Sequence, residues 1–182
     1  QAHGAEVVDD VRALAGRVDA ASVVVPTVGH EAVARELLGR GIPCLVEKPL
    51  AKTLAEADRL VALARAKGVA LQVGHIERFN PAVAAVQGRI GAIRFAECHR
   101  LSPFRFRATD VDVVMDLMIH DIDILLHLVQ SPVARVEAMG VPIMTERVDI
   151  ANARLVFANG CVANVTASRV SDKAMRKIRL FA

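Results

Sequence analysis

Two hydrophobic periods alternate along this chain, and the change between them divides it. Residues 18–26 read as a strand with Ser22 to Val25 as its buried centre, and 43–46 as a second strand entered from a glycine turn at Gly41. Between them, His30 to Arg40 carries Val33, Leu37 and Leu38 at helical spacing. Thr53-Leu54-Ala55-Glu56 is a capping-box sequence, which predicts a helix over 54–67 ended by Gly68. Residues 69–73 supply a third strand. Strands separated by helices of about 10–15 residues imply right-handed crossovers and a parallel, doubly wound sheet.

The pattern changes near Gly74. Asn80-Pro81 is an N-cap followed by proline at the first helical position, giving a helix to about Arg89. A strand over 93–101 leads into an arginine-rich loop over 102–109, and a long helix over 111–129 stops before Pro132. Only strands follow, over 134–141, 149–157, 161–168 and 176–181, with Asn159-Gly160 as a hairpin turn. The expected fold is α/β: a doubly wound domain over 1–75, then an α+β domain over 76–182 with a mostly antiparallel, open sheet.

Composition narrows the function. The chain is 53% hydrophobic but 3% aromatic, which suits close-packed helices on a sheet and argues against stacking on nucleic-acid bases. A formal charge of +3 is too small to point to a phosphate-backbone partner. Cys44, Cys98 and Cys161 are odd in number and far apart, so a reducing, cytoplasmic setting is expected, with neither a disulfide framework nor a zinc site. No apolar run approaches the roughly 18 residues that span a bilayer, so no membrane partner is expected.

Chemistry-bearing residues gather at strand ends, where open α/β sheets bind ligands. Pro26, Thr27 and His30 follow the first strand, Glu47-Lys48-Pro49 the second, and His75, Glu77 and Arg78 the third. His30 reads equally as an N-terminal helix residue, and His75 as a packed hinge residue. On the long helix, Asp116, His120, Asp123 and His127 are spaced four, three and four apart. That spacing puts them within about 60° around the axis. Elsewhere the helix is apolar, so the stripe is costly unless paired. It reads as mutually satisfied side chains, as a metal site, or as an acid/base dyad with Asp116 fixing the His120 tautomer.

Together these motifs resemble the glucose-fructose oxidoreductase/inositol dehydrogenase/rhizopine catabolism (Gfo/Idh/MocA) oxidoreductase family. The likeness is carried by Pro26-Thr27-x-x-His30, Glu47-Lys48-Pro49 with Thr53 and Glu56, Arg78-Phe79-x-Pro81, and Asp116-x-x-x-His120-x-x-Asp123. The resemblance implies a nicotinamide-dependent (NAD or NADP) dehydrogenase acting on a sugar, nucleotide sugar or polyol, built on a Rossmann-type domain. It implies Lys48, Asp116 and His120 as catalytic, with His120 as general base. Pro26, Thr27, His30, Glu47, Lys48, Pro49 and Arg78 would line the cofactor. It further implies a homo-oligomer formed through the C-terminal sheet. A relative that keeps the fold without catalysis is the reading from another class.

One departure is large: the Gly-x-Gly-x-x-Gly turn that opens the family's first domain does not occur. The expectation is a fragment lacking the first βα units, in which the choice between NAD and NADP is not legible. The segment Gly74 to Pro81, with Asp121-Ile122-Asp123, looks most like the branch that oxidises the 3-hydroxyl of UDP-N-acetylglucosamine-type sugars. Arg100, Arg105, Arg107, Arg169, Lys173, Arg176 and Lys177 read either as partners for a diphosphate or as solvated loop charges. Of these, Arg105, Arg107 and Arg169 join Lys48 and His120 as the expected substrate-binding set.

Overall fold

The computed structural model describes residues 4–105 and 111–182. They form two compact units, Gln1–Gly74 and His75–Ala182.

In the first unit, β1 (Ala21–Val23), β2 (Cys44–Val46) and β3 (Leu71–Val73) form a parallel sheet in the order β1-β2-β3. Helices α1 (His30–Gly39) and α2 (Leu54–Lys67) supply the apolar partners. Val23, Val46 and Cys44 bury with Ala34, Leu37, Leu38 and Leu60, while Ser22, Leu45 and Gln72 on the alternate positions stay exposed. Helix α2 runs over its expected residues because both ends carry local signals. Thr53 Oγ1 accepts from the Glu56 N–H at 3.3 Å, and Glu56 Oε2 accepts from the Thr53 N–H at 3.1 Å. Gly68 closes the helix at φ 63°, a conformation that favours glycine.

The strands are shorter than expected. The 18–26 run pairs only over Ala21–Val23, and Val24 is 71% exposed. A strand ladder extends no further than its partner, and β2 is confined between Pro43 and the turn at Glu47.

In the second unit, Ile76–Phe79 make a 3₁₀ turn and α3 (Pro81–Val86) follows. Asn80 Oδ1 caps α3 by accepting from the Ala82 N–H at 3.0 Å. Strand β4 (Phe95–Leu101) precedes the central helix, and β5 (Val133–Val141), β6 (Ile150–Phe157), β7 (Val162–Ser168) and β8 (Met175–Phe181) follow it. The sheet order is β5-β6-β7-β4-β8, antiparallel except that β4 runs parallel to β7. Strand β4 is made before the helix, so it joins the edge that the β5-β6-β7 meander leaves open. One sheet face is lined by Ala96, Cys98, Ala153, Ala163, Val165 and Ala167, and buries Met118, Leu125 and Val129 of the helix.

That helix differs from the expected 111–129 α-helix. Val114–Met118 form a π-turn, in which the Ile119 N–H donates to the Val114 carbonyl. The α-helix proper, α4, is Ile119–Val129, and Gln130 ends it in the left-handed region at φ 52°. Among the described residues, no helix is long and apolar enough to cross a membrane.

Candidate functional site

At the carboxyl edge of the first unit's sheet, backbone bonds continue the ladder past the strands. The Glu47 N–H donates to the Val23 carbonyl at 3.0 Å, and the Gly74 N–H to the Val46 carbonyl at 2.7 Å. These bonds draw the ends of β1, β2 and β3 together, so the residues after each strand share one rim. Thr27, Glu47 and Lys48 are half-buried there, and Pro26 is exposed. The Lys48–Pro49 peptide is cis.

Two of the expected cofactor residues take a different part. His30 is 2% exposed, with Nδ1 2.8 Å from the Pro49 carbonyl and Nε2 2.9 Å from the Val25 carbonyl. Both ring nitrogens therefore lie against backbone carbonyls, and His30 sits between the loop after β1 and the loop after β2. Pro49 is buried beneath it. His30 and Pro49 form a buried buttress between the two loops. One residue was not singled out in the sequence. A Cβ placed on Gly74 would lie 3.3 Å from the Glu47 carboxylate, so the glycine is what lets that carboxylate lie across the end of β3. Only the strand pairing brings the two together.

In the second unit, Asp116 lies on the π-turn and His120 one turn later, both half-buried, and Nδ1 of His120 is shielded from solvent. The i,i+4 offset is about 40° in an α-helix. A π-turn holds more residues per turn and brings the two positions closer to alignment. The stripe is not the uniform ionisable face that the spacing suggested. Asp123, 6% exposed, accepts from Arg78 Nε at 3.0 Å, and Arg78 Nη2 donates to its other oxygen. His75 Nδ1 lies 3.9 Å from the same carboxylate. Arg78, expected at the cofactor, thus has its guanidinium occupied by Asp123.

Off the stripe, Asp121 is 2% exposed and receives Arg100 Nε at 3.0 Å and Arg100 Nη2 at 2.8 Å. Arg100 is therefore a buried structural cation and not a free anion partner. Burial and then the Asp121 carboxylate push the Cys98 thiol up to about 12, so Cys98 stays a protonated, inert core residue.

Arg169 needs the same correction. Its Nε donates to Asp149 Oδ1 at 2.8 Å, Nη1 to the Val111 carbonyl at 2.8 Å and Nη2 to Thr145 Oγ1 at 3.2 Å. It is 5% exposed, buried in the unit's own polar network and not presented to a substrate. Arg105 is exposed, and Arg107 lies outside the described residues. Among the described residues, no group of three or more His, Cys, Asp or Glu side chains could hold a metal ion.

A parallel sheet with its polar residues at the carboxyl rim, followed by an open mixed sheet carrying a helix with an Asp/His pair, defines the architecture of two-domain nicotinamide oxidoreductases. The oxidoreductase-family model with the NAD-binding Rossmann fold matches residues 1–75, and the Gfo/Idh/MocA C-terminal domain model matches 83–181. The chain belongs to the Gfo/Idh/MocA oxidoreductase family.

It is 44% identical over 172 residues to the UDP-N-acetylglucosamine 3-dehydrogenase of Acidithiobacillus ferrooxidans, covering 94% of this chain and 55% of that protein. A solved structure of that enzyme superposes with a TM-score of 0.90 at 42% identity, over 97% of this chain and 59% of the other. The scyllo-inositol 2-dehydrogenase (NAD(+)) of Bacillus subtilis is 30% identical over 169 residues, 85% of this chain and 49% of the relative. The chain thus spans about half the length of the curated relatives it matches.

Proposed function

We propose that the full protein is an NAD(P)-dependent oxidoreductase that oxidises a sugar hydroxyl, most specifically the 3-hydroxyl of a UDP-N-acetylhexosamine. One observation carries this reading. Lys48 stands half-buried at the carboxyl end of a parallel strand, in a chain 44% identical over 94% of its length to a UDP-N-acetylglucosamine 3-dehydrogenase.

The rim fits the nicotinamide end of such a cofactor. Pro26, Thr27, Glu47 and Lys48 would hold it, over the His30/Pro49 buttress, while the glycine-rich pyrophosphate turn is not part of this sequence. When bound, the cofactor supplies the acceptor for hydride. In this reading the Lys48 ammonium donates to the reacting hydroxyl and fixes its direction. His120 accepts the hydroxyl proton at Nε2, and Asp116 orients the ring. The C–H electron pair leaves as hydride and the carbonyl forms as the O–H bond breaks. Arg105 and Arg107 remain as partners for a diphosphate, whereas Arg169 does not. We also include in the proposal a cytoplasmic protein that self-associates through the open face of the second sheet.

A free polyol is the second reading, supported by the inositol dehydrogenase among the relatives. The test is reduced-nicotinamide absorbance with the full-length protein, NAD⁺ or NADP⁺, and either UDP-N-acetylglucosamine or myo-inositol. Turnover should be seen with the nucleotide sugar, and Lys48→Ala or His120→Ala should each lower kcat by about 10²-fold or more. Wild-type rates in both variants would remove the assignment. Cofactor binding with no turnover across the substrates would favour a non-catalytic relative.

A further inference from the structure

The geometry points to Arg100 and Asp121 as positioning residues that set the rotation of the helix carrying His120, acting with the Arg78–Asp123 pair. This rests on the role of His120 proposed above.

Apolar packing holds α4 incompletely. On one flank, Ile124 and Leu128 border a cavity of about 300 Å³ shared with Val83, Ile178 and Leu180. On the other, Met118, Ile122 and Leu126 border an open apolar groove of about 470 Å³. Beneath the helix, Leu125 meets a sheet face made largely of alanines, including Ala96, Ala153 and Ala163. Interdigitating side chains are what fix one helix orientation; Ile124 is buried and Ile122 and Leu128 reach the core, but the cavity and the groove leave both flanks less fully packed than the lower face.

Charge supplies what packing leaves open. At about 100° per residue, Asp121 lies about 100° from His120 in one direction and Asp123 about 60° in the other. His120 therefore occupies a sector of about 160° bounded by two anchored carboxylates. Each anchor is a two-bond grip on a carboxylate, Arg100 on Asp121 and Arg78 on Asp123. A planar fork of this kind resists both twist and slide, which a single contact does not. A third anchor, the bond from Arg169 to the Val111 carbonyl, holds the chain just before the π-turn.

A role in stability alone explains this poorly. Buried ion pairs contribute little net stability, and apolar residues of similar volume often replace them without loss. Two such pairs on adjacent sectors of one short helix are accounted for by placement of what lies between them.

In the full-length protein, the double variant Arg100→Met/Asp121→Leu should fold, with a melting temperature close to wild type. Its KM for the cofactor should hold while kcat falls by about 10²-fold, the size of effect that a 1 Å misplacement produces. The acid limb of its kcat/KM pH profile should move, and the NMR signal of the His120 Cε1–H should shift or broaden. Arg100→Lys, which keeps the charge but not the fork, should show the same changes to a lesser degree, and it takes the place of the double variant if that one does not fold. A folded variant with wild-type kcat, pH profile and His120 signal overturns the inference. If the wild-type protein turns over no sugar, the proposed function falls, and the His120 signal still decides the positioning role.

Discussion

Single residues at the strand-end rim do two different jobs, and neighbouring positions divide them. In the proposed function Lys48 and Thr27 touch the ligand, whereas the His30 ring lies between the carbonyls of Val25 and Pro49. The motif was legible in the sequence, but this division was not, because it depends on which ring atoms face which loop. Gly74 was missed for a similar reason. Nothing local marks it, and its meaning comes from the Glu47 carboxylate 3.3 Å from where a Cβ would stand. Gly74→Ala should therefore shift the Glu47 carboxylate and cost less than the roughly 1–3 kcal/mol of core overpacking, read as a slightly lower denaturant midpoint. An unchanged midpoint together with an unchanged KM for the cofactor would show that the close approach is incidental.

At the scale of elements, legibility followed the range of the signals. Helix α2 has its capping box and closing glycine within its own sequence, and it appears over the expected residues. The π-turn could not be seen, since Asp-x-x-x-His reads the same in either kind of helix. The two arginines misread as anion partners have carboxylates about twenty positions away, Arg100 with Asp121 and Arg169 with Asp149. Only the folded sheet makes them neighbours. Asp149 shows what such a pairing does to an element. Burial alone would raise its carboxyl. Arg169 and the N–H groups of Ile143, Thr145 and Met144 override that and hold it well below the usual carboxylate range.

A carboxyl depressed in the folded state adds stability that is complete above its unfolded value of about 3.9 and is lost as pH falls below that. Wild-type protein should lose stability in acid below about pH 4, and Asp149→Asn should be less stable at neutral pH with a flatter acid limb. Denaturant titration at several pH values measures both, and parallel curves for the two proteins would exclude the carboxylate as the cause.

At the scale of the molecule, the hydrophobic period changes near Gly74, and the first compact unit ends at that residue. The second sheet presents a face with no helix on it among the described residues. Across it, Asn152 Nδ2 donates to Thr166 Oγ1 at 2.8 Å and Arg179 Nη1 to Glu97 Oε2 at 3.2 Å. Exposed Val141, Ile150 and Met175 line one margin of the same face. Polar pairs inside an apolar margin suit a self-complementary contact. Light scattering on the full-length protein should give a multiple of the monomer mass, and Ile150→Asp should lower it without changing the circular dichroism. A monomer at all concentrations would remove the proposed self-association.

The π-turn at Val114–Met118 has a consequence that is a matter of counting. It amounts to one surplus residue in the helical path, so deleting a single position there would restore ordinary α-helical winding without touching α4. If the lost position lies between Asp116 and His120, the two are left three apart and about 60° out of line. Among relatives, a one-residue gap between these two positions would therefore mark a protein whose carboxylate and imidazole no longer line up, even where both residues are still present.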